Sequence, residues 1–176
     1  MPGGAHAEQH MDTAPLLTDE QIDFIHGPVS ILVATHDTHL TPNQTRGFGC
    51  IVAADAKTLT VCVASSQAGA LLADIRANAA IAVVFCRPSS DQALQVKADD
   101  AAIVTTTRDA ILTAQRYREK MIEEIQPLGF TPEMLGAAFG IAASDVVAIR
   151  CTPHTVYEQT PGPNAGNAIA ASGASH

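Results

Sequence analysis

The chain has 176 residues, enough for one domain with ragged ends, and 47% of them are hydrophobic, enough to bury a core. Its formal net charge is −8 and its ten Lys and Arg are scattered, so the surface as a whole repels phosphate backbones and no nucleic-acid partner is expected. No run approaches the roughly 20 apolar residues of a membrane span, no apolar leader opens the chain, and the four cysteines form no CxxC pair; no membrane partner is expected, and a reducing cytoplasm is the expected home.

Residues 1–16 are rich in Gly, Ala, His and Pro without periodicity and are expected to be a disordered arm. Thr18-Asp19-Glu20-Gln21 reads as a capping box for a short helix that Gly27-Pro28 ends, with His26 as a cation at its last turn. Val29 to Thr35 is a β-rich run, and His36-Asp37-Thr38 turns it. His36 and His39 are spaced to share a metal, but no third ligand is near them, so a solvated turn is expected. A second strand runs from Gln44 through Val52, where Gly47 and Gly49 suggest a bulge, and it forms a hairpin with Thr58 to Ala64.

Ser65-Ser66 stands where the N-cap of the next helix belongs, and Leu71, Leu72 and Ile75 recur at helical spacing before Asn78. Ala80 to Cys86 is an apolar strand. Ala93 to Val104 is expected to be one further strand, bulged at Asp99-Asp100. Thr107 to Ile125 is the longest helical pattern, with Ile111, Ala114, Tyr117, Met121, Ile122 and Ile125 as its apolar stripe. Thr131-Pro132 opens another short helix, with the cap at Thr131. Ser144 to Tyr157 is expected to be the last strand, interrupted by Pro153, and the Gly- and Ala-rich tail from 163 to 176 to be flexible. Six short antiparallel strands with inserted helices predict an α+β fold, mainly β, in the form of a six-stranded antiparallel split β-barrel spanning 17–162. The second and third strands, and the fourth and fifth, are joined by turns too short for crossovers, which disfavours a parallel doubly wound sheet.

The pieces GPVSILVAT, RGFGC, LTVCVASS, LLADIRANAAIAVVF, LQVKADDAAI and VYEQTPGPNAG, in this order and spacing, resemble the pyridoxamine 5′-phosphate oxidase-like family of flavin-binding split barrels. The resemblance implies bound FMN, a homodimer with flavin sites between the subunits, and an oxidoreductase passing electrons through FMN to or from a small molecule. NADH or NADPH is the implied electron donor. It further implies a cofactor set of Arg46 on the second strand, Ala64, Ser65 and Ser66 at the end of the third, and Gln95 and Lys97 on the fifth. Asn78 matches the Asn of the family's Asn-Pro pair, with Ala79 in place of the proline.

Two departures stand out. Gln67-Ala68-Gly69-Ala70 carries none of the basic residues with which the oxidases hold phosphate, and no Trp is present for a substrate clamp, so oxidation of pyridoxamine phosphate itself is not expected. The alternatives are a flavin carrier or sensor without turnover, and a haem- or deazaflavin-binding relative. A flavin's dianionic phosphate wants cations and free amides, which Arg46, Lys97 and the Ser65-Ser66 turn would supply. Because the flavin carries the hydride chemistry, no acid–base triad is required, and none is legible. Pro161, Gly162 and Pro163 make a stiff exit from the last strand, expected to close over the flavin ring across the dimer.

Overall fold

The computed structural model describes residues 16–172, so the expected N-terminal arm, Leu16 apart, lies outside the described residues, as do residues 173–176. The first helix, α1 (Asp19–His26), has both halves of its capping box: the Thr18 amide donates to Gln21 Oε1 at 2.9 Å, and the Gln21 amide to Thr18 Oγ1 at 3.3 Å. The strands follow as β1 (Ser30–His36), β2 (Pro42–Val52) and β3 (Leu59–Ala64), then helix α2 (Gly69–Asn78). Next come β4 (Ile81–Cys86), β5 (Ala93–Ala98) and β6 (Ala102–Val104), the long helix α3 (Arg108–Ile125) and the short α4 (Pro132–Phe139). The chain ends in β7 (Val146–Cys151), β8 (Thr155–Glu158) and β9 (Ala168–Ala171).

All nine strands lie in one antiparallel sheet in the order β6-β7-β3-β2-β1-β4-β5-β8-β9. The six-stranded expectation is therefore corrected at three places. The run Ala93 to Val104 is not one bulged strand: the chain leaves the sheet at Asp99-Asp100, the Ala101 amide donates to Ala79, and β6 then pairs with β7 at the far edge. The run Ser144 to Tyr157 is likewise two strands. Pro153 has no N–H to give a ladder, so the chain crosses there from β7, beside β3, to β8, beside β5. The tail forms β9, which pairs with β8.

Alternation along the strands gives the sheet an inner face. Ile31, Val33, Val61, Val63, Val83, Phe85, Val96, Ile149 and Val156 meet in a single buried cluster, so strands at the two ends of the sheet share one core. The glycine bulge falls where expected: the β2–β3 register shifts between Gly47 and Cys50, and Gly49 has φ +111°. Helix α3 lies across β2 and reaches β3 and β7. Its buried stripe is Ala110, Ala114, Tyr117 and Met121, and the Cys62 thiol donates to the Ala110 carbonyl at 3.5 Å. No helix of the described residues is long and apolar enough to cross a membrane.

Candidate functional site on the outer face of the sheet

The register of the five strands β2, β1, β4, β5 and β8 sets the geometry. One row of cross-strand neighbours runs Arg46, Leu32, Val84, Gln95, Tyr157, and the next runs Gln44, Ala34, Ala82, Lys97, Thr155. On each strand the two residues are two apart and therefore share a face. Their neighbours Ile31, Val33, Val83, Val96 and Val156 are the buried ones, so both rows face outward. Arg46, Gln95 and Lys97 are thus brought together on one surface, with Arg46 three strand spacings, about 14 Å, from Gln95.

Each of these side chains is held. The Arg46 guanidinium lies 4.6 Å from the centre of the Phe139 ring at the end of α4, and Phe139 in turn meets Tyr117 edge-on with centroids 6.2 Å apart. The Lys97 ammonium lies 4.9 Å from the centre of the Tyr157 ring. Gln95 accepts a 3.0 Å hydrogen bond through Oε1 from Gln159 Nε2, which folds the exit of β8 back onto β5. Neither cation has a carboxylate within 4 Å among the described residues.

Beside Lys97 a cavity of about 460 Å³ opens, lined by Ala34, His36, Ala82, Lys97, His154 and Tyr157 among others. His154 is the titratable group that reaches it from the β7–β8 crossing. Its Nε2 is 3.1 Å from Asp99 Oδ2, and its Nδ1 is 2.8 Å from the Thr155 hydroxyl. The other loop histidines are bound up locally: His36 Nδ1 lies 2.9 Å from the Asp37 carbonyl, and the Asp37 carboxylate accepts from the amides of His39 and Thr41. Those amides hold the Asp37 carboxyl below the usual carboxylate range.

The serine pair is placed differently from the expectation. Ala64 follows Val63, whose partner Gly47 follows Arg46, so Ala64 and Arg46 are neighbours on the sheet. Ser65 and Ser66, however, do not cap α2. That helix starts at Gly69 behind Ala68, which makes no side-chain cap. Instead the serines bind Asp145, at the start of β7. Ser65 Oγ donates to Asp145 Oδ1 at 2.5 Å, the Ser66 amide to Oδ1 at 2.8 Å and Ser66 Oγ to Oδ2 at 2.6 Å. These bonds hold the Asp145 carboxyl below its usual range.

Asn78 serves the framework. Its Nδ2 donates to the His36 carbonyl at 2.7 Å and its Oδ1 accepts from the Ala80 amide. Ala79 sits at φ +57° and donates to Ile75, a conformation and a bond that proline cannot adopt. Phe139 and Asp145 were not legible as site residues, because each reaches the site from a distant segment with no local motif, and Tyr157 was legible only as part of the piece VYEQTPGPNAG.

No family model matches the sequence, and no curated protein matches it. Solved structures match the fold. The HupZ protein of Group A Streptococcus is 20% identical, covering 85% of this chain and 99% of its own, with a TM-score of 0.53. A candidate pyridoxamine 5′-phosphate oxidase from Lactobacillus delbrueckii is 16% identical over 84% of this chain and 97% of its own, with a TM-score of 0.50. An F420 reductase is 16% identical over 80% of this chain and 98% of its own, with a TM-score of 0.51. The fold of this chain is that of the pyridoxamine 5′-phosphate oxidase-like family.

Proposed function

We propose that the outer face of β2, β1, β4, β5 and β8 binds a flavin, FMN in the first instance, and that the protein is a flavin-dependent oxidoreductase acting on a small molecule. The observation that carries this reading is the pair Arg46 and Lys97. In a chain of net charge −8, both stand on one sheet face with aromatic neighbours and, among the described residues, no carboxylate partner. Such a face suits a ligand that is flat at one end and anionic at the other. Lys97, Tyr157 and the 460 Å³ cavity fit the ring system, the Gln95 amide fits its polar edge, and Arg46 fits the phosphate.

The bound flavin supplies the hydride chemistry. The chain's own residues orient it and keep water off it. Tyr157 and Ala82 wall the cavity, and Gln159 fixes the Gln95 amide so that its Nε2 group remains to donate. Leu32 is 41% exposed, and Ala34, Ala82, Val84 and Cys86 on the same face are only half-buried. A second copy of the chain laid on this face covers the apolar strip and closes the ligand groove, which is the support for a homodimer with its sites between the copies. A nicotinamide cofactor is the proposed electron donor, and the cytoplasm the proposed compartment.

The likeness of fold to an F420 reductase makes a deazaflavin the nearest variant of this reading. The haem variant has less support: His154 lines the cavity, but Asp99 holds its Nε2 and the Thr155 hydroxyl its Nδ1, so one ring nitrogen must be released before it ligates iron. The absorbance spectrum of the freshly purified protein separates these. Flavin-type peaks in the visible that bleach when NADH or NADPH is consumed support the oxidoreductase. Flavin peaks without consumption leave a flavin carrier, a Soret band gives haem, and a colourless protein that takes up neither flavin nor haem refutes the proposal.

A further inference from the structure

Asp145 has a consequence for what the sheet face accepts. The register of β3 on β7 pairs Ala64 with Val146, which sets Asp145 directly opposite Ser65, and the Ser65 amide donates to the Asp145 carbonyl at 2.8 Å. The turn of residues 143–145 then aims the side chain back at the serines, where it collects two hydroxyls and one amide on its two oxygens. Two hydroxyls and an amide converging at 2.5 to 2.8 Å are a charge-assisted donor set, of the kind that equally suits a phosphate oxygen. Helix α2, beginning three residues on, has neither a side-chain cap nor an acidic residue in its first turn, so its positive end has no anion of its own. Ala64, one residue before the serines, is the sheet neighbour of Arg46. This polar turn therefore borders the proposed ligand face, and its donors are already spent on a carboxylate of the same chain.

We infer that Asp145 is a specificity-determining residue: its carboxylate fills the Ser65–Ser66 turn as a built-in anion and bars a phosphate group from it. The bar has two parts. The donors are occupied, and a phosphate brought to the same turn meets a like charge at hydrogen-bonding distance. A phosphate-bearing ligand on the sheet face is then held by Arg46 and Lys97 without help from the turn, so the preference for FMN over riboflavin is only what those two cations supply. A purely mechanical role for Asp145, tying the β3–α2 turn to β7, predicts lost stability on its removal but no gain of any anion response.

The flavin arm of this inference rests on the proposed function; its phosphate arm does not. In the phosphate arm, inorganic phosphate is titrated at pH 7 into the isotopically labelled full chain, as wild type, Asp145→Ala and Asp145→Asn. The amide resonances of Ser65 and Ser66 are followed by NMR. The expected result is a saturable shift of both resonances in the variants and none in the wild type over the same range. In the flavin arm, riboflavin and FMN are titrated by fluorescence quenching. The preference for FMN over riboflavin is expected to rise about tenfold in the variants, the worth of one charge-assisted hydrogen bond. Asp145→Asn keeps the volume and an acceptor, so it covers the case in which Asp145→Ala does not fold. The inference is overturned if wild type and variants respond alike to phosphate. If phosphate shifts the variants but neither flavin binds the wild type, the inference about Asp145 stands and the flavin reading falls.

Discussion

Gly49 shows how one residue sets the path of the strand that carries Arg46. At φ +111° it occupies backbone that side chains rarely adopt, and a Cβ there would meet the Thr113 methyl at 2.9 Å and the Thr113 carbonyl oxygen at 3.2 Å. Gly49→Ala is expected to destabilise the protein by about 1–3 kcal/mol, read as a fall in the denaturation midpoint. The cysteines give a second check at this scale. Burial raises all four thiols, those of Cys62 and Cys151 to about 11 and about 12; Cys50, Cys62 and Cys151 are buried, while Cys86, raised by burial and then by Asp91, is half-buried on the outer face. Iodoacetamide on the folded protein is therefore expected to leave Cys50, Cys62 and Cys151 unmodified by mass spectrometry; adducts on these three would contradict the core described here. Local caps were legible at this scale: Thr18 and Thr131 each bond the amide three residues on, as their sequence contexts predicted, and Thr107 at the head of the long helix does the same. Ser65 and Ser66 read as a cap on the same grounds. Their real partner lies 80 and 79 residues away, which no local pattern reveals.

Elements were legible wherever one period of hydrophobicity ran between clear breakers. The β2–β3 and β4–β5 hairpins and the helices α1, α3 and α4 lie where the pattern put them, while the runs at 93–104 and 144–157 each held two strands. In both runs the chain stays β-like across the break, so periodicity alone does not register that the second half joins another part of the sheet. The end of α1 differs in its charge. Burial, and then Lys120, push the His26 imidazole below its usual value of 6.5; its Nε2 accepts from the Val52 amide, and the Lys120 ammonium caps the helix by donating to the His26 carbonyl at 2.6 Å. A histidine whose pKa is lower folded than unfolded takes up a proton on unfolding, so its contribution is complete above pH 6.5 and is lost as the pH falls below that value. The carboxyls of Asp145 and Glu158, also held low by hydrogen bonds, add the same sign in a more acidic window, below their unfolded values near 4. Thermal midpoints are expected to fall from pH 7 to 5, less steeply in His26→Gln, and to fall again below pH 4, less steeply in Asp145→Asn. A flat profile in the wild type would refute both assignments.

At the scale of the molecule, an acidic chain presents an apolar outer strip flanked by two cations with no carboxylate partner among the described residues, and the sheet order β2-β1-β4-β5-β8 is what assembles it. The residues of that surface were legible singly, through the resemblance, but their convergence depends on strand neighbours that only the register supplies. If a second copy covers the strip, Leu32→Glu places a charge at its centre and is expected to give a monomer by light scattering at concentrations where the wild type is a dimer; a monomeric wild type would contradict the covered face. The central claim is that Arg46 and Lys97 together hold an anionic flavin. Its most direct test is the titration of FMN, by fluorescence quenching at low salt, into the wild type and into the double variant Arg46→Ala/Lys97→Ala. The account predicts saturable binding by the wild type and an affinity weaker by about a hundredfold in the double variant, two charge-assisted contacts at roughly tenfold each. Equal affinities in the two proteins would contradict it.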